Sequence, residues 1–414
     1  MHFYFDLRGL LSLAKVLQLI CVAASCVFGL VHASNDLPAT KWSYNLGVDI
    51  WRLDPSVERD PAPWNAQNTN LLLANAVTKW DYKNTSPYIT LAANKSLLNS
   101  TFLSLKAQAN QTSGLRVDEA ALQHHISPSL GVRAGVVNYK TSWCRTYEPD
   151  NGWIREAETI CLTKSFNDVA GGAPGAQLFS STTWGNYLIQ NQIGIYRPLA
   201  FNYAPKEFGN YYPSPNYEVV RNKKIGVNIN VVNLGNALEG RLSYMRANQQ
   251  AYLPEPEIRS DVPQTSNMWY WGLSAPITHK LNVRLTQLRQ NQDLEFWPIT
   301  DGEYRRVLDV AQRKKATTLE LAYRFSSVDL LSVGISQTKF DTNKSFYSPQ
   351  GIVVYREPPF YIQTKQFSAA WRHDWSNRMF GIVQIVLAQQ RNGVDGFDFS
   401  SHGNAIGFRV GYQH

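Results

Sequence analysis

The chain has 414 residues, of which 17% are charged and 44% hydrophobic, and a formal net charge of +8. Mean hydropathy is −0.30. After residue 33 no apolar run reaches the ~20 residues a membrane helix needs, which excludes a helical membrane protein but not a membrane β-barrel, whose lipid-facing residues are diluted by alternation.

Residues 1–33 read as an export signal: Arg8 and Lys15, an apolar run from Val16 to Leu30, then Val31-His32-Ala33 as a small-residue cleavage pattern. Gln18 and Ser25 interrupt the run and argue against an uncleaved anchor; apolar residues after Cys26 argue against a lipoprotein. Arg8, Lys15 and Asp6 carry +1 of the net charge, leaving +7 for residues 34–414. No internal repeat or low-complexity linker divides that stretch, so one domain is expected.

Two-residue alternation, the mark of a strand with unlike faces, recurs along it. WSYNLGVDIW sets Trp42, Tyr44, Leu46, Val48 and Ile50 on one face, and TFLSLKAQAN sets Leu103, Leu105 and Ala107 opposite Ser104, Lys106 and Gln108. In KIGVNINVV, Ile225, Val227, Ile229 and Val231 alternate with Lys224, Gly226, Asn228 and Asn230. HKLNVRLTQ, LELAYRF and QFSAAWR repeat the pattern, and NAIGFRVGYQH closes the chain with it. Sixteen strands are expected, near 42–51, 68–80, 100–110, 114–125, 129–139, 175–183, 187–196, 221–232, 238–248, 267–275, 279–289, 315–325, 328–339, 362–373, 378–390 and 403–413. The stretch SPYITLAANKSLL, just after residue 84, is read as one more strand or none.

A terminal strand left alone would be an exposed edge; a closed barrel pairs the last strand with the first. Connectors from residue 115 onward take turns: short ones at 127–129, 233–237, 276–278, 326–328 and 374–377, long polar ones near 140–174, 197–220, 249–266, 290–314, 340–361 and 391–402. That asymmetry is the mark of an all-β transmembrane antiparallel barrel with tight turns at one rim, long loops at the other, and both chain ends at the tight-turn rim.

The faces opposite the apolar residues carry Lys106, Arg133, Lys224, Arg241, Lys280, Arg284, Arg324, Arg372 and Arg409, with few acids, chiefly Asp49 and Glu320. A dry core could not hold so many unpaired cations; a water-filled lumen could. These nine are the expected pore-lining basic residues. The connector 140–174 gathers Glu148, Asp150, Glu156, Glu158 and Asp168. Folded inward, it would set an acidic loop against a basic wall and create a transverse field at a constriction. Cys144 and Cys161 lie within it, and two cysteines in an exported chain most simply form a disulfide.

The strand–turn–strand LRVDEAALQHHISPSLGVRAGVVNY at 115–139, the acidic connector after the fifth strand and the terminal strand ending at Tyr412 together resemble a Gram-negative outer-membrane porin. The resemblance implies a sixteen-stranded barrel, homotrimers, and a third external loop folded inward against basic wall residues. It also implies a final Phe or Trp as an assembly signal, whereas His414 is last here.

No cofactor and no metal site are expected: G-x-S-x-G and H-E-x-x-H are absent, and His124 and His125, adjacent on a strand, face opposite ways. The expected function is a non-enzymatic channel for passive diffusion of small hydrophilic solutes, mildly preferring anions, with outer-membrane lipid and solutes as partners and no nucleic acid. A substrate-selective uptake channel for sugars or acidic nutrients is the alternative; the aromatic FNYAPKEFGNYYPSPNY at 201–217 would stack on sugars in that reading, or simply pack as a lid, the commoner role. A barrel enzyme and a soluble secreted β-rich binding protein stand further off; the latter would use the N-x-[ST] triplets at Asn84, Asn94, Asn99, Asn110 and Asn343.

Overall fold

The computed structural model describes residues 41–56, 85–110, 114–138, 172–197, 218–254, 259–300, 303–304, 308–348, 350–394 and 397–413. Sixteen strands form the wall: β1 (Lys41–Ser56), β2 (Thr85–Leu98), β3 (Thr101–Asn110), β4 (Gly114–Ser127), β5 (Leu130–Asn138), β6 (Gly172–Trp184), β7 (Tyr187–Tyr196) and β8 (Glu218–Asn233). There follow β9 (Glu239–Pro254), β10 (Arg259–Pro276), β11 (Leu281–Thr300), β12 (Leu308–Arg324), β13 (Asp329–Tyr347), β14 (Val353–Asp374), β15 (Met379–Val394) and β16 (Phe397–Gln413). A two-residue strand, Glu303–Tyr304, only folds back on the tip of β11.

Each strand pairs antiparallel with its sequence neighbours, and β1 pairs with both β2 and β16. The closing seam runs from Asn45↔Gln413 to Ser56↔His402. No edge is left, which answers why the chain can close on an alternating strand. The second strand is Thr85–Leu98, within SPYITLAANKSLL, and it lies directly beside β1; the expected strand at 68–80 falls outside the described residues.

One rim is made of tight turns, and each is written in its own side chains. Ser127 Oγ accepts from Leu130 N, Asn233 Oδ1 from Gly235 N, and Thr278 Oγ1 from the backbone N–H groups of Lys280 and Leu281. Ser326 Oγ accepts from Val328 N and Asp329 N, and Ser376 Oγ from Arg378 N and Met379 N. Ser, Thr and Asn oxygens that take orphan backbone donors two or three residues on are what stop a strand and reverse it. Between β6 and β7 the reversal is Gly185-Asn186, with Gly185 at φ 56°, a left-handed conformation that a side chain would disfavour.

The opposite rim corrects the sequence reading. The segments expected as long connectors at 249–266, 290–314, 340–361 and 391–402 are mostly strand: β9 and β10 pair out to Pro254↔Arg259, and β15 and β16 out to Val394↔Phe397. On these arms polar residues such as Asn291, Asp293, Arg313 and Asp341 take the outward positions, so the apolar–polar alternation fades, yet hairpin pairing satisfies their backbone groups just as well. The stretches 140–171 and 198–217 fall outside the described residues.

The outer and inner faces are inverted relative to a water-soluble protein. Leu46, Val48, Leu122, Val132, Leu178, Ile225, Leu242, Leu273, Leu321, Ile335, Phe367, Ile385 and Val410 are exposed, while Asn228, Ser243, Thr286, Gln290, Thr318, Ser332, Gln366, Ser368 and Gln384 are buried. Trp184, Tyr187, Trp371, Trp375 and Phe325 edge the apolar belt near the tight turns, and Trp269 and Trp271 edge it on the other side. An exposed apolar band flanked by aromatic girdles is stable against hydrocarbon and not against water.

Candidate functional site

The lumen wall is the concave surface that the strands jointly build, and parity places its side chains. On β8 and β9, Lys224, Asn228, Asn230, Arg241 and Ser243 alternate with exposed apolar residues. Ser243 Oγ donates to Asn228 Oδ1 at 2.9 Å, Gln290 Nε2 to Ser266 Oγ at 3.3 Å and Gln366 Nε2 to Ser368 Oγ at 3.1 Å. These bonds knit the wall into a polar layer, as any buried amide or hydroxyl requires.

Seven of the nine cations singled out in the sequence sit on lumen-facing positions of described strands: Lys106, Arg133, Lys224, Arg241, Arg284, Arg372 and Arg409. Lys280 does not; it belongs to the exposed tight turn before β11. Arg324 ends β12 at the same rim, where its Nη1 donates to Ser327 O at 3.2 Å. Lys314, buried opposite Gln290, is a lumen cation that the sequence reading missed, because it lies in a segment taken for a loop.

The expectation of unpaired cations is corrected. Arg133 lies 3.6 Å from Glu119, Arg241 3.4 Å from Glu239, Arg284 3.7 Å from Glu320 and Arg372 2.8 Å from Asp374. Arg133 also donates to Gln123 Oε1 at 2.6 Å and stacks over Phe179; Arg372 stacks over Phe380. Low local dielectric makes such pairing favourable where the wall is closely packed. Lys106, Lys224, Lys314 and Arg409 also take lumen-facing positions, so cations outnumber carboxylates among the described lumen positions. In the strand register Asp49 stands opposite Arg409.

A second unforeseen feature is apolar. Met245, Met268, Tyr270, Leu288 and Ala316 face inward on β9–β12 and are 0–2% exposed. They cluster with Ala121, Val137 and Tyr196, and Ala173 packs against the group. Tyr196 accepts a hydrogen bond from Gln177 Nε2 at 2.9 Å, and Gln177 accepts one from Gln192 Nε2 at 2.7 Å. In the motif WYWGL the structure separates the aromatics: Trp269 and Trp271 point out, Tyr270 points in. Sequence offers no cue for which apolar residue takes which face once both faces hold aromatics.

His124 and His125 do face opposite ways: His124 Nδ1 meets Thr101 Oγ1 at 2.9 Å on the outside, and His125 Nε2 meets Gln123 Nε2 at 2.7 Å inside. Among the described residues no group of His, Cys, Asp and Glu could hold a metal ion. Glu148, Asp150, Glu156, Glu158, Asp168, Cys144 and Cys161 lie outside the described residues.

No protein-family profile matches the chain, and no curated protein matches its sequence. Solved structures do match its backbone. The outer membrane channel DcaP of Acinetobacter baumannii aligns with a TM-score of 0.53 at 9% identity, over 92% of this chain and 99% of that one. The fold is that of an outer-membrane porin. The outer-membrane-expressed OmpT of Vibrio cholerae aligns with a TM-score of 0.52 at 10% identity, over 91% of this chain and 97% of that one. At such identities the porin fold is what is shared; side-chain roles must come from this chain's own geometry.

Proposed function

We propose that the protein is a non-enzymatic outer-membrane porin, a hydrated conduit for passive diffusion of small hydrophilic solutes with a mild preference for anions. The observation that carries this reading is the inversion: an exposed apolar belt around a closed wall whose inner face is polar and net basic. Solute flux through such a wall is set by width and fixed charge, with no chemical step. Outer-membrane lipid and the solutes are then the partners, and a homotrimer is the proposed assembly.

The segment 140–174 is proposed to fold into the lumen, with Cys144 and Cys161 joined. Its flanking strands support this, because Val137 near the end of β5 and Ala173 at the start of β6 both belong to the inward apolar group. Tyr270 and Met268 are 0% exposed on a concave wall, which fits a lumen that is not an open cylinder at that height.

Liposome swelling tests both parts. Vesicles containing the purified protein should swell in small neutral sugars, more slowly as sugar size rises, and reduction with dithiothreitol should change the size cutoff. No swelling in any sugar would remove the channel reading; a cutoff indifferent to reduction would remove the tethered inward loop alone.

A further inference from the structure

We propose that the outer face of β11–β15, just beyond the apolar belt on the side away from the tight turns, binds the phosphate groups of anionic membrane lipids. Outward positions there follow one order on each strand. Apolar residues end at Leu285, Leu319, Ile335, Phe367 and Leu387; cations follow within one or two outward steps. The cations are Arg289, Lys315, Lys339, Lys365 and Arg391, the first met on each strand, and all are exposed.

Register makes this more than scattered surface charge. Arg289 stands directly opposite Lys315, and Lys315 directly opposite Lys339. Like charges in directly opposed positions on one face repel and destabilise a sheet unless an anion lies between them. Gln363 separates Lys339 from Arg391 in the same row, and Lys365 stands one outward step nearer the belt on the strand of Gln363. Carboxylates come one and two outward steps further from the belt: Asp341 meets Lys339 at 3.1 Å, and Asp293 meets Arg313 at 2.8 Å. They offset part of the charge and leave Arg289, Lys315, Lys365 and Arg391 without an ion pair among the described residues.

Beneath the row lies a groove of about 520 Å³ in the outer wall. Leu319, Ile335, Phe367 and Leu387 line its apolar part, and Gln337 and Lys365 its polar part. Such a groove suits an amphiphile, with acyl chain on the apolar residues and headgroup at the lysine. Long cationic side chains can lay their stems on the belt and lift their charge to the headgroup level, where Arg is well shaped for phosphate oxygens. The inference rests on the barrel lying in a bilayer but not on what passes through it.

The test uses the detergent-purified barrel, titrated with phosphatidylglycerol or phosphatidylcholine of matched chains and read by native mass spectrometry. Phosphatidylglycerol should be retained about tenfold more than phosphatidylcholine, and the preference should shrink several-fold in high salt. The combined variant R289Q/K315Q/K339Q/K365Q/R391Q should retain both lipids equally while its channel conductance stays intact. Equal retention by the unaltered protein, or a variant with undiminished preference, would overturn the proposal. So would complete displacement by excess inorganic phosphate, which would make a free anion the occupant. Should the variant fail to fold, the lipid preference of the unaltered protein and its salt dependence still decide.

Discussion

Replacing Ile193 by Arg should destabilise the barrel by about 2–4 kcal/mol, while replacing its neighbour Gln192 should cost about 1 kcal/mol. Ile193 is 50% exposed on the outer face of β7, between Leu178 and Val227. An arginine there meets hydrocarbon. Gln192 is on the inner face, opposite Asn228, and its amide donates to Gln177. An arginine there loses that bond but stays in polar surroundings. Urea titration of refolding into lipid vesicles measures both. Comparable losses at the two positions would mean that the two faces meet similar environments, and the inside-out reading would fall.

Replacing Arg284 by Ala should cost about 3–5 kcal/mol, the larger of the two effects. Glu320 is 1% exposed and lies 3.7 Å from Arg284 on the neighbouring strand. Removing the guanidinium takes a counter-charge from a buried carboxylate. E320Q should cost less, because an amide of the same shape carries no charge to bury, and it adds one positive charge to the lumen. Replacing both residues by hydrophobic ones of similar volume should restore much of the stability. The same urea titration reads all three, and an R284A barrel as stable as the parent would show that the pair is not closely buried. Salt should matter little here, in contrast to the exposed Arg313–Asp293 pair on the upper arms, where screening by solvent and ions leaves little to lose.

Where each face had one character, the sequence was enough. KIGVNINVV became β8 with its apolar residues out and its polar ones in, and the five short connectors became turns closed by their own Ser, Thr or Asn oxygens. The reading faltered where both faces were alike. The upper arms of β9–β16, where polar residues take the outward positions, passed for loops, which hid Lys314 inside and Arg391 outside. The second strand was sought in NLLLANAVTKW, whereas SPYITLAANKSLL pairs with β1 despite its Pro87. A proline is tolerated near the end of a strand, where one missing donor costs little. Inward carboxylates were undercounted: Glu119 meets Arg133 only across strands, while Glu239 and Asp374 stand two residues from Arg241 and Arg372 on the same strand, at strand ends beside the tight turns. Outward parity, followed past the last apolar residue of each strand, would have found the basic row.

The positive wall and the permeation path stand or fall together in one recording. The purified protein, added to a planar bilayer under a potassium chloride gradient, should produce stepwise conductance. Its reversal potential should lie on the chloride side of zero, because cations outnumber carboxylates at the described lumen-facing positions. A membrane that stays silent at every protein concentration would contradict the channel itself, and steps that favour potassium would contradict the charge assigned to its lumen.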